Sequence, residues 1–450
     1  MKNKMKPSIM KEGQAMKIET LKRSHLKRNI LIRVGIALII SAVILNFTRA
    51  KYRTTQSIPL VNGTINYDLA DLNTVAVYIQ EGDDYSKSDT IPSSGYTFNE
   101  ERSYCTVNGE EDNSITVSYD ANTQSLSVSP LTTQGTKCYL YFDEQQTLLK
   151  DVILANNEVN SSIPDFSQAA TTDEGMYATT DNLGTSYYFR GAIENNYVQF
   201  AGYYWRIIRI NGDGSIRIIY DGTSAHANGE SSSDRQISAS AFNSSSNASY
   251  YVGYTYQASA QRPSSQNSGT ASTIKGILDN WYSTNISGKE LDDKVVSTPG
   301  FCNDRNTRSG DSWVSSGTTF YYASYERVVI NKTPTLQCSN NIDLYTTKVG
   351  LITADEVMFA GGTTSSNNSY YLYTGQYYWT MSPYYFNEGM FVGAMTVIDT
   401  KGSFNAVFVD GGFDIFGEYV TMSVRPVINL AADVTISSGD GTSETPYVVS

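Results

Sequence analysis

Apolar and polar residues alternate with a period of two over much of residues 58–145, which predicts strands. Four segments carry the pattern: "NTVAVYIQEG", "NSITVSYD", "QSLSVSP" and "KCYLYFDE". The second and third predict a hairpin in which Val117 and Tyr119 face Leu126 and Val128. This region is predicted to be a small all-β sandwich of immunoglobulin-like kind that serves as a spacer.

The alternation fades over residues 151–184, where Asn, Ser, Thr and Asp become frequent, so this stretch is predicted to be a linker. It returns from Thr185 in "YVQFAGYYWRIIRINGDGSIRIIYDG", which predicts a hairpin with its turn at "NGDG". Strand patterns continue to residue 432. Residues 433–450 are predicted to be a C-terminal strand or tail.

Two segments of the C-terminal half have a helical period instead. Ile274, Leu278 and Trp281 fall on one face of a predicted amphipathic helix that begins at Ser272 or Thr273. A second, shorter helix is predicted in "LITADEVMFAGG", where a Thr and a Glu three positions later form a capping box and the two glycines end the helix.

The N-terminus has a different pattern. Residues 1–28 carry nine basic and two acidic residues, and "ILIRVGIALIISAVILNF" (Ile30–Phe47) follows with a single charge. This predicts a basic cytoplasmic tail and a transmembrane signal-anchor over 29–48, in a single-pass protein of the cell membrane whose C-terminal domains are extracellular. The alternative is a signal peptide that is cleaved after Ala50.

Charge separates the two sides of this segment. Of 33 basic and 45 acidic residues, 13 and two precede Thr54, which leaves 20 and 43 and a net charge of about −23 in the exported part. So acidic a surface argues against binding nucleic acid or anionic lipid. The acidic residues could also serve only to keep the exported part soluble.

The four cysteines form two sequence-local pairs, Cys105 with Cys138 and Cys302 with Cys338. In an oxidising compartment an even number of cysteines predicts disulfides, one in each domain, although spacing alone leaves the connectivity open. The spacings fit no zinc pattern, and no metal site or cofactor is predicted.

Catalytic motifs are missing from the sequence. A Ser-His-Asp or Cys-His arrangement would need His226, the one histidine beyond the N-terminal segment, and it lies in the Ser- and Asn-rich stretch "TSAHANGE". A pair of carboxylates would arise by chance among so many acidic residues. The sequence therefore predicts a protein that is not an enzyme.

Four segments in order carry a resemblance: "YYFRGAIENNYVQFAGYYWRIIRINGDGSIRIIYDG", "LITADEVMFAGG", "YYWTMSPYYF" and "SVRPVINL". Together they resemble a bacterial surface domain related to the C-type-lectin-like fold of formylglycine-generating enzymes and of retroelement variable proteins. The W-x-x-S-P and V-R-P-V motifs of that group match Trp379–Pro383 and Val424–Val427. The resemblance implies an α+β C-type-lectin-like domain over 185–432 with two helices and paired terminal strands.

The resemblance does not imply a particular chemistry. Formylglycine-generating enzymes use two nearby C-terminal cysteines and copper, whereas Cys302 and Cys338 lie far apart in sequence. The sugar-binding triplets of calcium-dependent lectins are absent, so calcium-dependent sugar binding is not carried over.

The segment "YYWTMSPYYF" supplies the predicted binding site. Trp379 is expected in the core, and Arg425 in a structural ion pair. The aromatic residues after the proline are expected on an exposed loop near four acidic residues, although they could instead fold back over the core. The predicted ligand-binding residues are Tyr384, Tyr385, Phe386, Glu388, Asp399, Asp410 and Asp414.

These expectations describe a membrane-anchored bacterial cell-surface protein, adhesin- or receptor-like, whose lectin-like head binds an extracellular glycan or protein without catalysis. The first alternative is a structural envelope protein that self-associates. The second is an enzyme of the formylglycine-generating type, which would need free thiols or a bound metal.

Overall fold

The computed structural model describes residues 75–82, 84–92, 95–120, 123, 125–130, 135–145, 147–258, 269–313, 318–339 and 344–450. The chain divides into two compact units, Met1–Gln145 and Gln146–Ser450. The predicted cytoplasmic tail (1–28) and transmembrane segment (29–48) lie outside the described residues. Among the helices that are described, none has the length and apolar character needed to cross a membrane.

The predicted fold class is wrong. Strands account for 41% of the structure and helices for 14%, so the described chain is mostly β rather than α+β. The reason lies in the C-terminal unit, where only short stretches of sequence have a helical period. Long segments without clear periodicity, which the sequence left unassigned, form strands, turns and short 3-10 helices instead.

The N-terminal unit is built on one five-stranded sheet with the order β2-β1-β7-β3-β4. The strands are β1 (Val75–Glu81), β2 (Asp84–Ser88), β3 (Tyr96–Val107), β4 (Glu110–Glu111) and β7 (Thr136–Glu144), with β5 (Thr116–Asp120) and β6 (Ser125–Ser129) paired separately. The predicted hairpin is confirmed, since Val117 pairs with Val128 and Tyr119 with Leu126. Cys105 and Cys138 join β3 to β7 in a disulfide.

The C-terminal unit contains a ten-stranded sheet with the central order β20-β27-β13-β12-β10-β9-β8. Its strands are β8 (Val159–Asn160), β9 (Asp173–Thr180), β10 (Thr185–Gly191), β11 (Tyr197–Phe200), β12 (Tyr203–Ile210), β13 (Ile216–Gly222), β20 (Val349–Gly350), β27 (Val427–Leu430), β28 (Ile436–Ser438) and β29 (Tyr447–Val449). The predicted "NGDG" hairpin is confirmed as the β12–β13 connection, where the Asp213 carboxylate accepts a hydrogen bond from the Ser215 amide at 3.0 Å.

A six-stranded sheet carries the second half of this unit, in the order β14-β26-β21-β22-β23 with β18 also paired to β21. Its strands are β14 (Ser238–Ala239), β18 (Thr319–Tyr321), β21 (Tyr378–Asn387), β22 (Val392–Ile398), β23 (Phe404–Phe408) and β26 (Ser423–Val424). Three two-stranded pairs complete the β structure: β15 (Thr255–Tyr256) with β16 (Thr270–Ala271), β17 (Phe301–Cys302) with β19 (Leu344–Tyr345), and β24 (Gly412–Phe413) with β25 (Tyr419–Val420).

The α-helices of the described residues are α1 (Leu149–Asn156), α2 (Thr273–Asn285), α3 (Ala323–Tyr325) and α4 (Ala354–Phe359), and α3 runs into a π-helix at Glu326–Asn331. Short 3-10 helices cover Ser233–Arg235, Ser249–Val252, Ser287–Lys289 and Asp292–Lys294. The two predicted helices are α2 and α4. Their predicted caps are confirmed, because Ser272 accepts from the Lys275 amide and Thr353 and Glu356 form a capping box.

Residues 151–184, predicted to be a linker, belong instead to the C-terminal unit. They contribute most of α1 and the strands β8 and β9 of the large sheet. Leu149 and Ile153 of α1 are fully buried, and Met176 of β9 is nearly so. A few apolar side chains spaced among polar ones therefore join the core, although the composition of the segment is typical of a linker.

One apolar cluster runs through the C-terminal unit and includes side chains from both large sheets and from α2. Trp379 lies in it with no exposed surface and donates from its indole nitrogen to the Ser240 carbonyl at 2.8 Å, which confirms its predicted core position. Pro383 does not end the strand as expected. The pairing of β21 with β22 shifts register on both sides of Pro383, and this irregularity accommodates a residue without an amide hydrogen.

Candidate functional site

The predicted site residues lie on strands and turns rather than on one loop. Tyr384, Tyr385 and Phe386 are part of β21, because the strand continues through Pro383. Phe386 is only 5% exposed and packs against Phe320, so it belongs to the core rather than to a binding surface. Tyr384 and Tyr385 remain partly exposed.

The predicted acidic residues do not form one site with these tyrosines. The Asp399 carboxylate accepts from the Lys401 and Ser403 amides, and Asp414 accepts from two amides of its own turn. These are the contacts of turn-forming aspartates. Asp410 accepts from the Ser246 hydroxyl, and Glu388 is partly buried in the turn that follows β21.

The structure brings Tyr384 and Tyr385 together with two aromatic residues that were not predicted. The four residues Tyr321, Tyr325, Tyr384 and Tyr385 are called the tyrosine cluster. Ring centroids lie 4.3 Å apart between Tyr321 and Tyr325, 4.7 Å between Tyr325 and Tyr384, and 5.9 Å between Tyr384 and Tyr385. All four rings are partly exposed.

Strand pairing and side-chain alternation explain why these rings meet. Tyr321 is the register partner of Tyr385 in the β18–β21 pair. Phe320 and Tyr322 on either side of Tyr321 are buried, so Tyr321 points to the opposite face. Tyr325 follows on α3, where the chain turns back after β18, and its ring stacks on that of Tyr321.

A salt-bridged arginine borders the tyrosine cluster. The guanidinium carbon of Arg308 lies 4.9 Å from the ring centroid of Tyr321, within the range of a cation–π interaction. Asp311 holds this arrangement, since it binds Arg308 at 3.0 Å and accepts from the Tyr321 amide at 2.8 Å. The cluster is therefore bordered by a guanidinium group in a fixed position, paired with a carboxylate.

The hydroxyl groups of the tyrosine cluster are available to a ligand. None of the four forms a hydrogen bond with another residue in the part of the chain that the structure describes. Burial raises the pKa of Tyr325, Tyr384 and Tyr385, and neighbouring tyrosines raise it further. The three phenols are therefore neutral at physiological pH and can donate as well as accept.

A second feature of this region is a cleft lined by charged side chains. Arg209 and Arg217 both bind Glu356, at 3.2 and 2.8 Å, and Arg327 binds Asp355 through two hydrogen bonds of 2.8 and 2.9 Å. The Cys302–Cys338 disulfide forms part of the rim. The cavity has a volume of about 30 Å³, which is room for roughly two water molecules. Paired charges and a small volume identify this cleft as a structural network.

Electrostatics keeps Glu356 ionised despite complete burial. Burial raises the pKa of its carboxyl, but Arg217, Arg209 and the Thr353 amide outweigh burial, so the pKa lies below its ordinary value of 4.5. A carboxyl whose pKa is lower in the folded state stabilises the fold above its unfolded pKa, and that stability is lost as the pH falls through the folded value.

We therefore expect acid to destabilise the C-terminal unit below about pH 4.5, the ordinary glutamate pKa. In Glu356→Gln, the pH dependence of the unfolding free energy should decrease by up to one proton, about 1.4 kcal/mol per pH unit. Urea unfolding followed by tryptophan fluorescence between pH 3 and 6 measures this, since all four tryptophans lie in this unit. If the unfolding free energies of the wild-type protein and of Glu356→Gln changed with pH in parallel, the lowered pKa of Glu356 would be contradicted.

His226 is not placed to act as a general base. Its Nδ1 lies 2.8 Å from Glu230 Oε1 and its Nε2 lies 3.1 Å from Asp234 Oδ2, so both ring nitrogens face carboxylates. The ring is buried and holds together the turn between residues 223 and 235. A nucleophile would need one of these nitrogens free.

All four cysteines are oxidised, in the pairs Cys105–Cys138 and Cys302–Cys338 that the sequence favoured. Neither C-terminal cysteine supplies the free thiol that a formylglycine-generating mechanism needs. Within the described residues, no group of three or more His, Cys, Asp or Glu side chains could hold a metal ion.

Comparison of the chain with protein-family models, curated proteins and solved structures finds no match. The resemblance to the surface domain related to formylglycine-generating enzymes therefore stays a prediction. The geometry of the tyrosine cluster points to a binding surface.

Proposed function

We propose that this is an exported protein whose C-terminal unit binds a macromolecular ligand outside the cytoplasm, without catalysis, through the tyrosine cluster. The observation that carries the proposal is the set of four partly exposed phenol rings with unbonded hydroxyls on one surface. Tyrosine combines rigid contact area with a hydroxyl and is enriched in binding surfaces. Two disulfides and an acidic composition favour an extracytoplasmic location.

A protein ligand is favoured by the arrangement of the rings. Tyr384 stands nearly perpendicular to both Tyr325 and Tyr385, with interplanar angles of 70° and 71°, so the cluster is ridged rather than flat. A ridged aromatic surface beside an arginine suits the side chains of a partner protein. The unbonded hydroxyls make a glycan the second candidate, because sugars offer many hydrogen-bonding groups.

Two substitutions separate these candidates. Full-length protein and its variants would be tested on arrays of glycans and of glycoproteins. Tyr384→Ala with Tyr385→Ala removes the ring area and should weaken saturable binding about a hundredfold or more in either case. Tyr384→Phe with Tyr385→Phe keeps the rings and removes the hydroxyls, so it should weaken glycan binding strongly and protein binding about tenfold or less.

A matched control comes from a second set of partly exposed tyrosines in the same unit. Tyr250 packs against Tyr251 and Tyr256 with centroids 4.6 and 5.9 Å away, and it is placed outside the proposed site. Tyr250→Ala should leave binding unchanged. Equal loss in this variant, or full binding by the Tyr384/Tyr385 alanine variant, would contradict the proposal. Binding only between copies of the chain would favour a self-associating structural protein.

A further inference from the structure

A short two-stranded hairpin elsewhere in the C-terminal unit exposes three large aromatic side chains. Strands β24 and β25 with their connection, Gly412–Val420, are called the aromatic hairpin. Phe413, Phe416 and Tyr419 are 49%, 77% and 76% exposed. Exposed aromatic residues gathered in one segment are unusual for a surface that contacts only water.

The aromatic hairpin is held in a fixed conformation. The buried Asp414 carboxylate accepts from the Phe416 and Glu418 amides, at 2.9 Å each, and the Asp414 amide donates to the Glu418 carbonyl at 2.9 Å. The rings of Phe413 and Tyr419 pack across the two strands with centroids 5.7 Å apart. Internal hydrogen bonds therefore fix the positions at which these rings meet solvent.

Strand pairing places the aromatic hairpin away from the tyrosine cluster. Val407 of β23 bridges Asp414, and the Ile415 amide donates to the Ala406 carbonyl at 3.1 Å, so the hairpin lies beside β23. The tyrosine cluster belongs to β18, α3 and β21, and β22 and β23 separate these from the hairpin. The two aromatic surfaces are thus distinct.

The charged residues of the aromatic hairpin and of the chain segments that flank it have one sign. Between Phe404 and Val424 the sequence contains Asp410, Asp414 and Glu418 and no lysine or arginine. Asp410 and Glu418 are exposed, and neither forms a salt bridge within the described parts of the chain. An apolar surface with an acidic border complements a partner that carries basic side chains beside apolar ones.

We infer that the aromatic hairpin is a second docking surface, whose occupant is a polypeptide segment that presents lysine or arginine next to aliphatic side chains. A second copy of this strongly acidic chain fits less well, because like charges would face each other. Anionic membranes are disfavoured for the same reason. The inference is independent of any ligand of the tyrosine cluster.

Labelled model peptides test this inference on the full-length protein by fluorescence anisotropy. A helical lysine–leucine peptide should bind saturably, and its affinity should fall as salt is added. A glutamate–leucine peptide and a lysine–serine peptide should bind much more weakly. Phe416→Ser with Tyr419→Ser should weaken the lysine–leucine peptide about tenfold or more, and Glu418→Gln should reduce the salt dependence.

Matched controls lie far from the hairpin in sequence. Ile163, which is 89% exposed, is replaced by Ser, and the exposed Glu444 by Gln, and neither change should alter binding. Equal binding of the acidic and basic peptides would overturn the inference, as would wild-type affinity in the Phe416/Tyr419 variant. Two further results would also overturn the inference: self-association of the protein, or its binding to phosphatidylcholine–phosphatidylglycerol vesicles, if the Phe416/Tyr419 variant loses it. Either result would assign the surface to a different occupant.

Discussion

Replacing Asp221 with Asn is expected to destabilise the C-terminal unit by about 3–5 kcal/mol, the effect of removing one partner from a buried ion pair. Asp221 has no exposed surface and accepts from two arginines that are equally buried, Arg235 at 2.7 Å and Arg425 at 2.9 Å. Arg425 therefore forms the ion pair expected from the sequence, and it shares its carboxylate partner, Asp221, with Arg235. One carboxylate neutralises two guanidinium groups, and the amide would leave both charges buried.

The contacts around Asp221 explain why a large loss of unfolding free energy is expected when it is replaced. Arg425 also donates to the Tyr220 and Leu372 carbonyls, and Arg235 to the Tyr371 carbonyl, so this network connects β13 to three other segments of the chain. Burial lowers the pKa of Arg425, while Tyr378 and Asp221 raise it. Without the carboxylate, only neutral groups would remain to stabilise the two cations.

Urea unfolding monitored by tryptophan fluorescence measures the effect. Asp279→Asn is the matched control, because Asp279 forms a salt bridge with Lys275 on the surface of α2 and its side chain is 45% exposed. That change should alter the unfolding free energy by about 0.5 kcal/mol or less. A loss below about 1 kcal/mol in Asp221→Asn would show that the buried network is not a main source of stability.

Removing the C-terminal disulfide should both destabilise the unit and release half of the tyrosine cluster. The cysteines of the Cys302–Cys338 bond are 36 positions apart, for which loop closure gives about 3–4 kcal/mol. The closed segment contains Arg308, Tyr321 and Tyr325, whereas Tyr384 and Tyr385 lie outside it. Cys302→Ser with Cys338→Ser is therefore expected to weaken ligand binding in addition to lowering stability.

Hydrogen–deuterium exchange gives a readout that needs no ligand. In the Cys302/Cys338 variant, amides of residues 319–325 should exchange faster, because β18 and α3 lose the covalent link that closes their segment. Cys105→Ser with Cys138→Ser is the matched control, since this bond has a similar separation of 33 positions in the other unit. It should leave exchange at residues 319–325 unchanged. Unchanged exchange in both variants would contradict the proposed role of the C-terminal bond.

Local sequence patterns predict the features of the fold that are set by residues close together in the chain. The cap at Ser272, the capping box at Thr353, the "NGDG" turn and the β5–β6 register all follow from short-range rules, and all are confirmed. The fold class could not be obtained in this way. It depends on how long segments without clear periodicity enter the sheets, as residues 151–184 do.

The candidate site was predicted in part for a similar reason. Tyr384 and Tyr385 were selected from the aromatic stretch that contains them, but Tyr321 and Tyr325 join them only through the β18–β21 register. The segment "FYYASYERV" carries a signal for this surface, since it has three tyrosines within six residues. Asp399 and Asp414 were selected for charge, although the turns that they form explain them without a ligand.

Saturable binding of the full-length protein and its Tyr384→Ala/Tyr385→Ala variant on the glycoprotein and glycan arrays decides whether the tyrosine cluster is the binding surface. Thermal unfolding of both proteins would establish that the variant is folded. We expect at least one saturable ligand for the wild-type protein and a loss of affinity of about a hundredfold or more in the folded variant, the size expected for an aromatic hot spot. Saturable binding that the variant retains in full would contradict the assignment of the tyrosine cluster as the binding surface.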